Sequence, residues 1–514
     1  MKRQLKDIGN LGKEIGKGVI FLGVLPARKM AQAITFLSTY SRLSRIAPPI
    51  KTRDLTIFLG ALWPAALTVY LLLLNDINRE TAFMGGIFVL ACLLWATEAM
   101  PLFATALLII GLEILLLANP AGWENFGFAD NTDISYTTFL LPLSDPMLVL
   151  FFGGFILARA AVKNGVDSML AGVLLKPFTR NSSMLLLGIM AVTAIFSMWM
   201  SNTATTAMML SLTIHLLKQY PENEPFKKGI ILSVPLAANI GGLGTPVASP
   251  PNAVAIGYLD KLGYNLSFTQ WTVAAFPVLL IMLAIAWRIL WHLYKPLSEP
   301  ETIKLQKKEK LPGTNFVMVI FSLTVLFWLT EAIHGIPSPV ISLIPVVAFT
   351  TTGIVSRNDI NNLEWNILLL IAGGIALGMG MTLTGLDTLI VESLSTNAFL
   401  LMPLLIFSTV LLSNFMSNTA AANLLIPIGI SMMMNENFSI IGIIAGTMTM
   451  ALSASLAMAL PVSTPPNALA YASGKISGKD FIKPGIIIGL IGLVLLIILF
   501  TMAGILEKMG WFID

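Results

Sequence analysis

Residues 198–209 read MWMSNTATTAMM, and residues 414–425 read NFMSNTAAANLL. Both stretches set an uncharged polar triplet, Ser201-Asn202-Thr203 and Ser417-Asn418-Thr419, in the middle of long apolar sequence. Hydrocarbon does not solvate such groups, so the reason for their repetition decides what the chain builds.

The surroundings are membrane-like. Of 514 residues, 56% are hydrophobic and only 11% charged, against roughly a quarter charged in a soluble domain, and the mean hydropathy is +0.83. Segments 54–75, 82–100, 146–162, 271–293, 337–355 and 484–505 each approach the roughly 20 apolar residues a helix needs to cross about 30 Å of hydrocarbon. Unbroken apolar runs lack the alternation of a membrane barrel. The expected fold is therefore an all-α polytopic membrane protein, with the lipid bilayer as its surroundings. Cys92 is the single cysteine, which excludes an intrachain disulfide or a cysteine-based metal cluster. The pI near 9.0 does not signal nucleic acid, because the basic residues flank apolar runs and act as topology signals.

Residues 1–53 mix Lys and Arg with apolar residues at roughly helical spacing and have no signal-peptide cleavage pattern. They read as a cytoplasmic amphipathic helix on the membrane surface. Arg42, Arg45, Lys51 and Arg53 precede the first span and place the N-terminus inside. The acidic segment 119–145 falls outside, and later Lys and Arg clusters fall inside, giving about eleven crossings and an outside C-terminus. Segments 182–218 and 399–434, which hold the triplets, act as hairpins; charge parity leaves open whether they turn back inside the bilayer or cross twice.

An internal repeat organises the whole chain. Trp95 and Glu98 in WATEAMP return as Trp328 and Glu331 in WLTEAIHGIP, and FFGGFILARAAVKNGVD at 151–167 returns as IAGGIALGMGMTLTGLD at 371–387. The triplets follow, and then Pro250-Pro251-Asn252 returns as Pro465-Pro466-Asn467, all four matches in one order at offsets of about 215 to 233 residues. Five crossings separate the triplets, so the second copy is inverted, an arrangement common in secondary transporters. GGLGTPVASPPNAV at 241–254 and LPVSTPPNAL at 460–469 break the following apolar runs with glycine and proline. Proline removes a backbone donor and denies the preceding residue helical geometry. Unwound backbone at membrane depth belongs against protein or a cavity.

Broken helices expose N–H groups at one end and carbonyls at the other. The triplets' hydroxyls and amides add both kinds of group without formal charge. Donors suit a carboxylate, and carbonyls with hydroxyls suit a hard cation. The expected ligand is a small dianion bridging both triplets. No Lys, Arg or His lies in the triplets or the Pro-Pro-Asn segments, and an uncompensated buried charge is expensive, so co-bound cations supply the countercharge.

Paired Ser-Asn-Thr motifs, each followed by a broken Pro-Pro-Asn helix, resemble the divalent anion/sodium symporter (DASS) family from about residue 54 onward. The resemblance implies an inverted-repeat fold of about eleven transmembrane helices and two re-entrant hairpins, and a homodimer working by an elevator motion in the cell membrane. It divides the chain into scaffold segments 54–180 and 312–398, transport segments 181–295 and 399–514, and a cytoplasmic linker 296–311. It implies that Ser201, Asn202, Thr203, Ser417, Asn418 and Thr419 contact substrate carboxylates, with Thr464, Pro465, Ser249 and Pro250 lining the same cavity. Na⁺ sites would fall on Ser197, Ser201, Asn202 and the backbone near Ala248, and on Ser413, Ser417, Asn418 and the backbone near Ser463. The four-residue steps from Ser197 to Ser201 and from Ser413 to Ser417 put each hydroxyl pair on one helix face. Ala204-Thr205-Thr206 stands where the family's anion exchangers carry an Arg, which favours Na⁺-coupled dicarboxylate uptake over dicarboxylate or citrate exchange and over sulfate transport.

Other polar residues have plainer readings. Glu98 and Glu331 precede proline-containing turns and read as structural or interfacial rather than proton-carrying. Arg159 lies near a membrane end and is expected to snorkel. Gly153-Gly154 and Gly373-Gly374 read as close helix contacts. His215, His292 and His334 lie near span ends and near no serine elbow, so an intramembrane hydrolase is not expected. Polarity confined to one level in two repeats also speaks against a channel.

Overall fold

The computed structural model describes residues 52–120, 134–300, 303, 305, 311–394, 398–436 and 438–508. The amphipathic segment expected before residue 52 and residues 121–133 of the acidic loop lie outside the described residues. Repeat 1 runs α1 (Thr52–Leu74), α2 (Arg79–Thr97), α3 (Leu102–Glu113), α4 (Tyr136–Leu140), α5 (Pro146–Lys163), α6 (Val166–Leu175), α7 (Ser182–Ser197), α8 (Asn202–Leu217), α9 (Phe226–Gly241), α10 (Pro250–Lys261) and α11 (Phe268–Leu293). Repeat 2 runs α12 (Thr314–Leu329), α13 (Glu331–His334), α14 (Ser338–Ile341), α15 (Leu343–Thr351), α16 (Arg357–Asn361), α17 (Trp365–Thr384), α18 (Leu386–Leu394), α19 (Ala398–Ser413), α20 (Asn418–Asn435), α21 (Ile440–Ala454), α22 (Pro465–Ala472) and α23 (Gly478–Lys508). No strand occurs among the described residues.

Among the described residues, six helical stretches, Asp54–Leu74, Arg79–Thr97, Tyr136–Lys163, Phe268–Leu293, Trp365–Thr384 and Gly478–Gly504, are long and apolar enough to cross a membrane. The triplet hairpins are built differently. Each of α7 and α8 has 16 residues, about 24 Å at 1.5 Å per residue, which falls short of the hydrocarbon thickness. The chain between them turns at Met198–Met200.

The repeat seen in sequence is a repeat of contacts. Trp95 Nε1 donates to Leu102 O at 3.2 Å, and Trp328 Nε1 donates to Ser338 O at 3.1 Å. Both indoles are fully buried; Trp95 ties the end of α2 to the start of α3, and Trp328 ties the end of α12 to the start of α14. The glycine pairs permit close approach between repeats: a Cβ at Gly153 would fall 2.4 Å from Ser342 O, and one at Gly373 would fall 2.6 Å from Ala106 Cα. Gly165 and Gly385, at φ +65° and +70°, make equivalent left-handed turns that a Cβ would strain.

Glu98 ends α2 in a left-handed conformation at φ 49°, and Glu331 accepts a hydrogen bond from Ser338. Arg159 differs from the expectation: instead of only snorkelling, it pairs with Asp359 at 2.9 Å, beside Lys163 at 2.6 Å. Two nearby cations compensate one buried carboxylate, which anchors α16 to α5.

Candidate functional site

Ser201 and Ser417 are the N-caps of α8 and α20, their hydroxyls accepting from Ala204 N at 3.3 Å and Ala420 N at 3.1 Å. Capping with Ser is a local preference, and it corrects the helix-face expectation. Ser197 ends α7, three residues of turn intervene, and Ser201 opens the next helix, so the two hydroxyls do not share one helix face. Ser197 pairs with Asn202 instead. Its Oγ lies 2.6 Å from the Asn202 side chain and donates to Ala238 O at 2.7 Å. Repeat 2 reproduces this: Ser413 Oγ donates to Asn418 Oδ1 at 3.2 Å and to Ala454 O at 2.8 Å.

The Asn202 amide faces three oxygens. With its nitrogen turned inward it donates to Ser197 Oγ at 2.6 Å, Ala248 O at 3.2 Å and Ala238 O at 3.3 Å. With its oxygen inward the same cluster becomes four converging oxygens, the donor set of a hard monovalent cation. Ala248 contributes its backbone carbonyl to this cluster. Ser463, its counterpart, is buried, and its hydroxyl accepts from Asn467 at 3.3 Å.

Asn252 and Asn467, not singled out from sequence, shape the breaks. Asn252 Nδ2 donates to Gly242 O at 2.9 Å and Thr245 O at 2.8 Å. Asn467 Nδ2 donates to Met458 O at 3.1 Å and Leu460 O at 2.9 Å. Each amide satisfies carbonyls that the broken helix has released, and such groups cost about 1–3 kcal/mol apiece when buried unpaired.

The breaks also hold each other. Asn239, from α9, donates to Thr464 Oγ1 at 3.2 Å and Asn467 Oδ1 at 3.3 Å. Its repeat partner Ser455, after α21, contacts Ser249 Oγ at 3.3 Å. Helices follow the same crossing rule: α8 and α9 pack on α22, while α20 and α21 pack on α10. Ser249 and Thr464 are buried N-caps, Pro250 is half-buried and Pro465 exposed. Thr203 is half-buried and Thr419 buried, both in first helical turns.

The four helix starts divide their chemistry. In α10 and α22 the first two residues are prolines without N–H, and the third N–H is taken: Asn252 N donates to Ser249 O at 3.0 Å, and Asn467 N to Thr464 Oγ1 at 3.3 Å. In α8 and α20 the N–H groups of Asn202, Thr203, Asn418 and Thr419 occupy positions where an α-helix offers no intrahelical acceptor. Donors for an anion therefore sit at the triplets, and carbonyls sit at the breaks. Glu364 was also missed from sequence. Its carboxyl, just before α17, lies within hydrogen-bonding reach of the Ser201 side chain; burial pushes its pKa up and Ser201 pulls it down.

An all-helical chain with membrane-length apolar helices, a duplicated hairpin and paired broken helices defines a multi-pass membrane transporter. The family described as citrate transporter (CitMHS) matches residues 92–446. The chain belongs to this DASS-type citrate transporter family and is not an enzyme. It is 30% identical over 464 residues to an uncharacterised transporter of Haemophilus influenzae, covering 85% of this chain and 95% of that one. It is 28% identical over 509 residues to the sodium-dependent dicarboxylate transporter SdcS of Staphylococcus aureus, covering 90% and 93%. An uncharacterised transporter of Schizosaccharomyces pombe is 31% identical over 449 residues, 82% of this chain and 50% of that longer protein. The solved Alcanivorax borkumensis YdaH transporter shares the fold, with a TM-score of 0.51 at 14% identity over 73% of this chain and 88% of that one.

Proposed function

We propose that the protein imports a C4-dicarboxylate of the succinate, malate and fumarate class together with Na⁺. The observation that carries this reading is the paired half-site, in which Ser197, Asn202, Ala238 and Ala248 gather oxygens while the starts of α8 and α20 present N–H groups. Neutral donors hold the carboxylates, and cations at the oxygen clusters cancel the charge that no Lys, Arg or His neutralises there. Substrate contacts are assigned to Ser201, Asn202, Thr203, Ser417, Asn418 and Thr419, and Na⁺ to the Ser197 and Ser413 clusters. The similarity to SdcS supports both ligands.

The carrier works as a homodimer in the cell membrane with its N-terminus cytoplasmic. Segments 181–295 and 399–514 travel as a unit against the scaffold. Radiolabelled succinate uptake into proteoliposomes tests the reading: an inward Na⁺ gradient accelerates uptake. Uptake indifferent to Na⁺ but dependent on internal dicarboxylate replaces symport with exchange. The family description favours citrate as a second cargo, and citrate competing with succinate in the same vesicles would move the assignment to the larger anion.

A further inference from the structure

The two sides of α17 carry different neighbours. Gly373 and Gly380 face α3, against Ala106 and the buried Glu113, so that side stays within the proposed scaffold. Leu370, Gly374 and Gly378 recur every four residues and form a separate stripe along the helix. This stripe receives α10 and α20 of the proposed transport unit.

Two buried polar side chains grip it. Tyr258 of α10 donates to Gly374 O at 2.5 Å, and its hydroxyl also lies 3.5 Å from Asn423 O. Its ring fills the hollow left by Gly378, where a Cβ would collide with it. Asn423 of α20 lies over Gly374 and donates to Leu370 O at 3.2 Å, while its Oδ1 has no partner among the described residues. A buried amide oxygen left unpaired is costly, so an apolar side chain would serve packing better, and the amide is kept for the bond that it donates. At the end of α10, Lys261 pairs with Asp145, the N-cap of α5, at 3.3 Å, a third tie across the same boundary.

The inverted repeat offers no second grip of this kind. In its register Tyr258 corresponds to Ser473, Asn423 to Ala207, Gly374 to Gly154 and Gly378 to Ala158. Ser473 donates to Ala470 O within its own turn, and Ala207 is exposed. A Cβ on Gly154 would meet Val247 at an ordinary 3.7 Å, so α5 is not filled as α17 is. In an inverted-repeat carrier one repeat moves against the other around a fixed site, and exchanging the roles of the repeats gives the opposite arrangement. That arrangement has neither the phenol nor the amide.

We propose that Tyr258 and Asn423 form a one-sided latch, which holds the transport unit on α17 in the arrangement described above and has no equivalent on α5 in the opposite one. The proposal rests on the moving and fixed segments of the function proposed above. Release is discrete, because the ring must leave the Gly378 hollow before α10 can travel along α17. Neither residue belongs to the half-sites, so both are positioning residues: they set how often the unit departs, and the triplets set what it carries.

Cysteine reactivity of the full-length protein in proteoliposomes, without substrate, tests this. Val247 is buried and its counterpart Val462 exposed, and the opposite arrangement exchanges them. In a Cys92→Ser background, a small polar maleimide should modify Val247→Cys about two- to tenfold faster once Tyr258→Phe or Asn423→Leu is added, the range for one lost hydrogen bond, while Ser473→Ala leaves the rate unchanged. Cys92 itself, in a protein carrying only Tyr258→Phe, keeps its reactivity, which separates departure from general loosening. Unchanged reactivity of Val247→Cys with either latch variant, an equal rise with Ser473→Ala, or a rise that Cys92 shares overturns the proposal. A wild type that takes up no succinate defeats the proposed function alone, and the reactivity comparison still decides the latch.

Discussion

Val247, in the break of repeat 1, is 6% exposed, whereas its counterpart Val462 in repeat 2 is 81% exposed. Trp199, at the tip of the first hairpin, stacks on Phe268 and Trp328 with centroids 6.0 and 6.4 Å away; Phe415, at the same place in the second hairpin, is 71% exposed. Inside the half-sites the bonds match almost one for one, from Ser197 and Ser413 to Asn252 and Asn467. The internal pattern is set by local sequence, which the duplication copied. The outer environment is set by how the two halves of the molecule stand against each other, and one arrangement cannot give both tips the same neighbour. The comparison separates what the duplication copied from what the packing of the two halves decides.

The largest expected effect tests the equality of the interiors. Replacing Asn202 or Asn418 by Ala removes an amide that faces Ser197 or Ser413 and leaves buried oxygens unpaired, a loss of about 1–3 kcal/mol, and also removes a ligand of the proposed cargo. Uptake in either variant should fall by at least about a hundredfold, equivalent to some 3 kcal/mol, while folded protein is still recovered by size-exclusion chromatography. Normal transport by one variant would make that half-site dispensable.

Next come the amides that close the breaks. Asn467→Ala should destabilise by about 2–3 kcal/mol, since Met458 O and Leu460 O both lose their donor. Asn252→Ala should cost less, because only Asn467 also serves the opposite repeat through Asn239. Thermal unfolding in detergent reads the order, and equal losses would remove the distinction.

A third measurement sharpens the contrast between the tips. In a Cys92→Ser background, Val462→Cys and Phe415→Cys should react with a small polar maleimide about tenfold faster than Val247→Cys and Trp199→Cys, a difference of about 1.4 kcal/mol in access. Similar rates would mean that the tips do not differ in solution. The smallest effect belongs to Ser455→Ala, which removes one neutral hydroxyl contact with Ser249, worth about 0.5–1.5 kcal/mol. Stability should fall slightly, with uptake nearly unchanged.

Much of this was legible from sequence because hydrocarbon is an unforgiving solvent: polar triplets and proline breaks in apolar runs have few explanations, and the tryptophan and glycine echoes fixed the register of the repeat. Ser201 and Ser417 stand out in the sequence as site candidates, but their capping role does not, since a four-residue spacing reads as continuous helix. A cap reading of Ser before Asn-Thr would have located the turn. Asn252 and Asn467 were hidden behind their conspicuous prolines, although an amide just after a break is well placed to satisfy loose carbonyls. Glu113 left a plain trace as a lone acid within LFATALLIIGLEILLLA. Glu364 left almost none, because its relation to Ser201 crosses between distant segments.

The stack of Trp199, Phe268 and Trp328 has one further bearing. Its ring planes deviate from parallel by only 8° to 18°, and of the three only Trp328 anchors its indole elsewhere, to Ser338 O. Flat apolar faces in offset contact keep most of their dispersion energy when they glide along their own planes and lose it when pulled apart. At this corner the first hairpin touches Trp328 ring to ring, a contact that resists separation more than sideways shift.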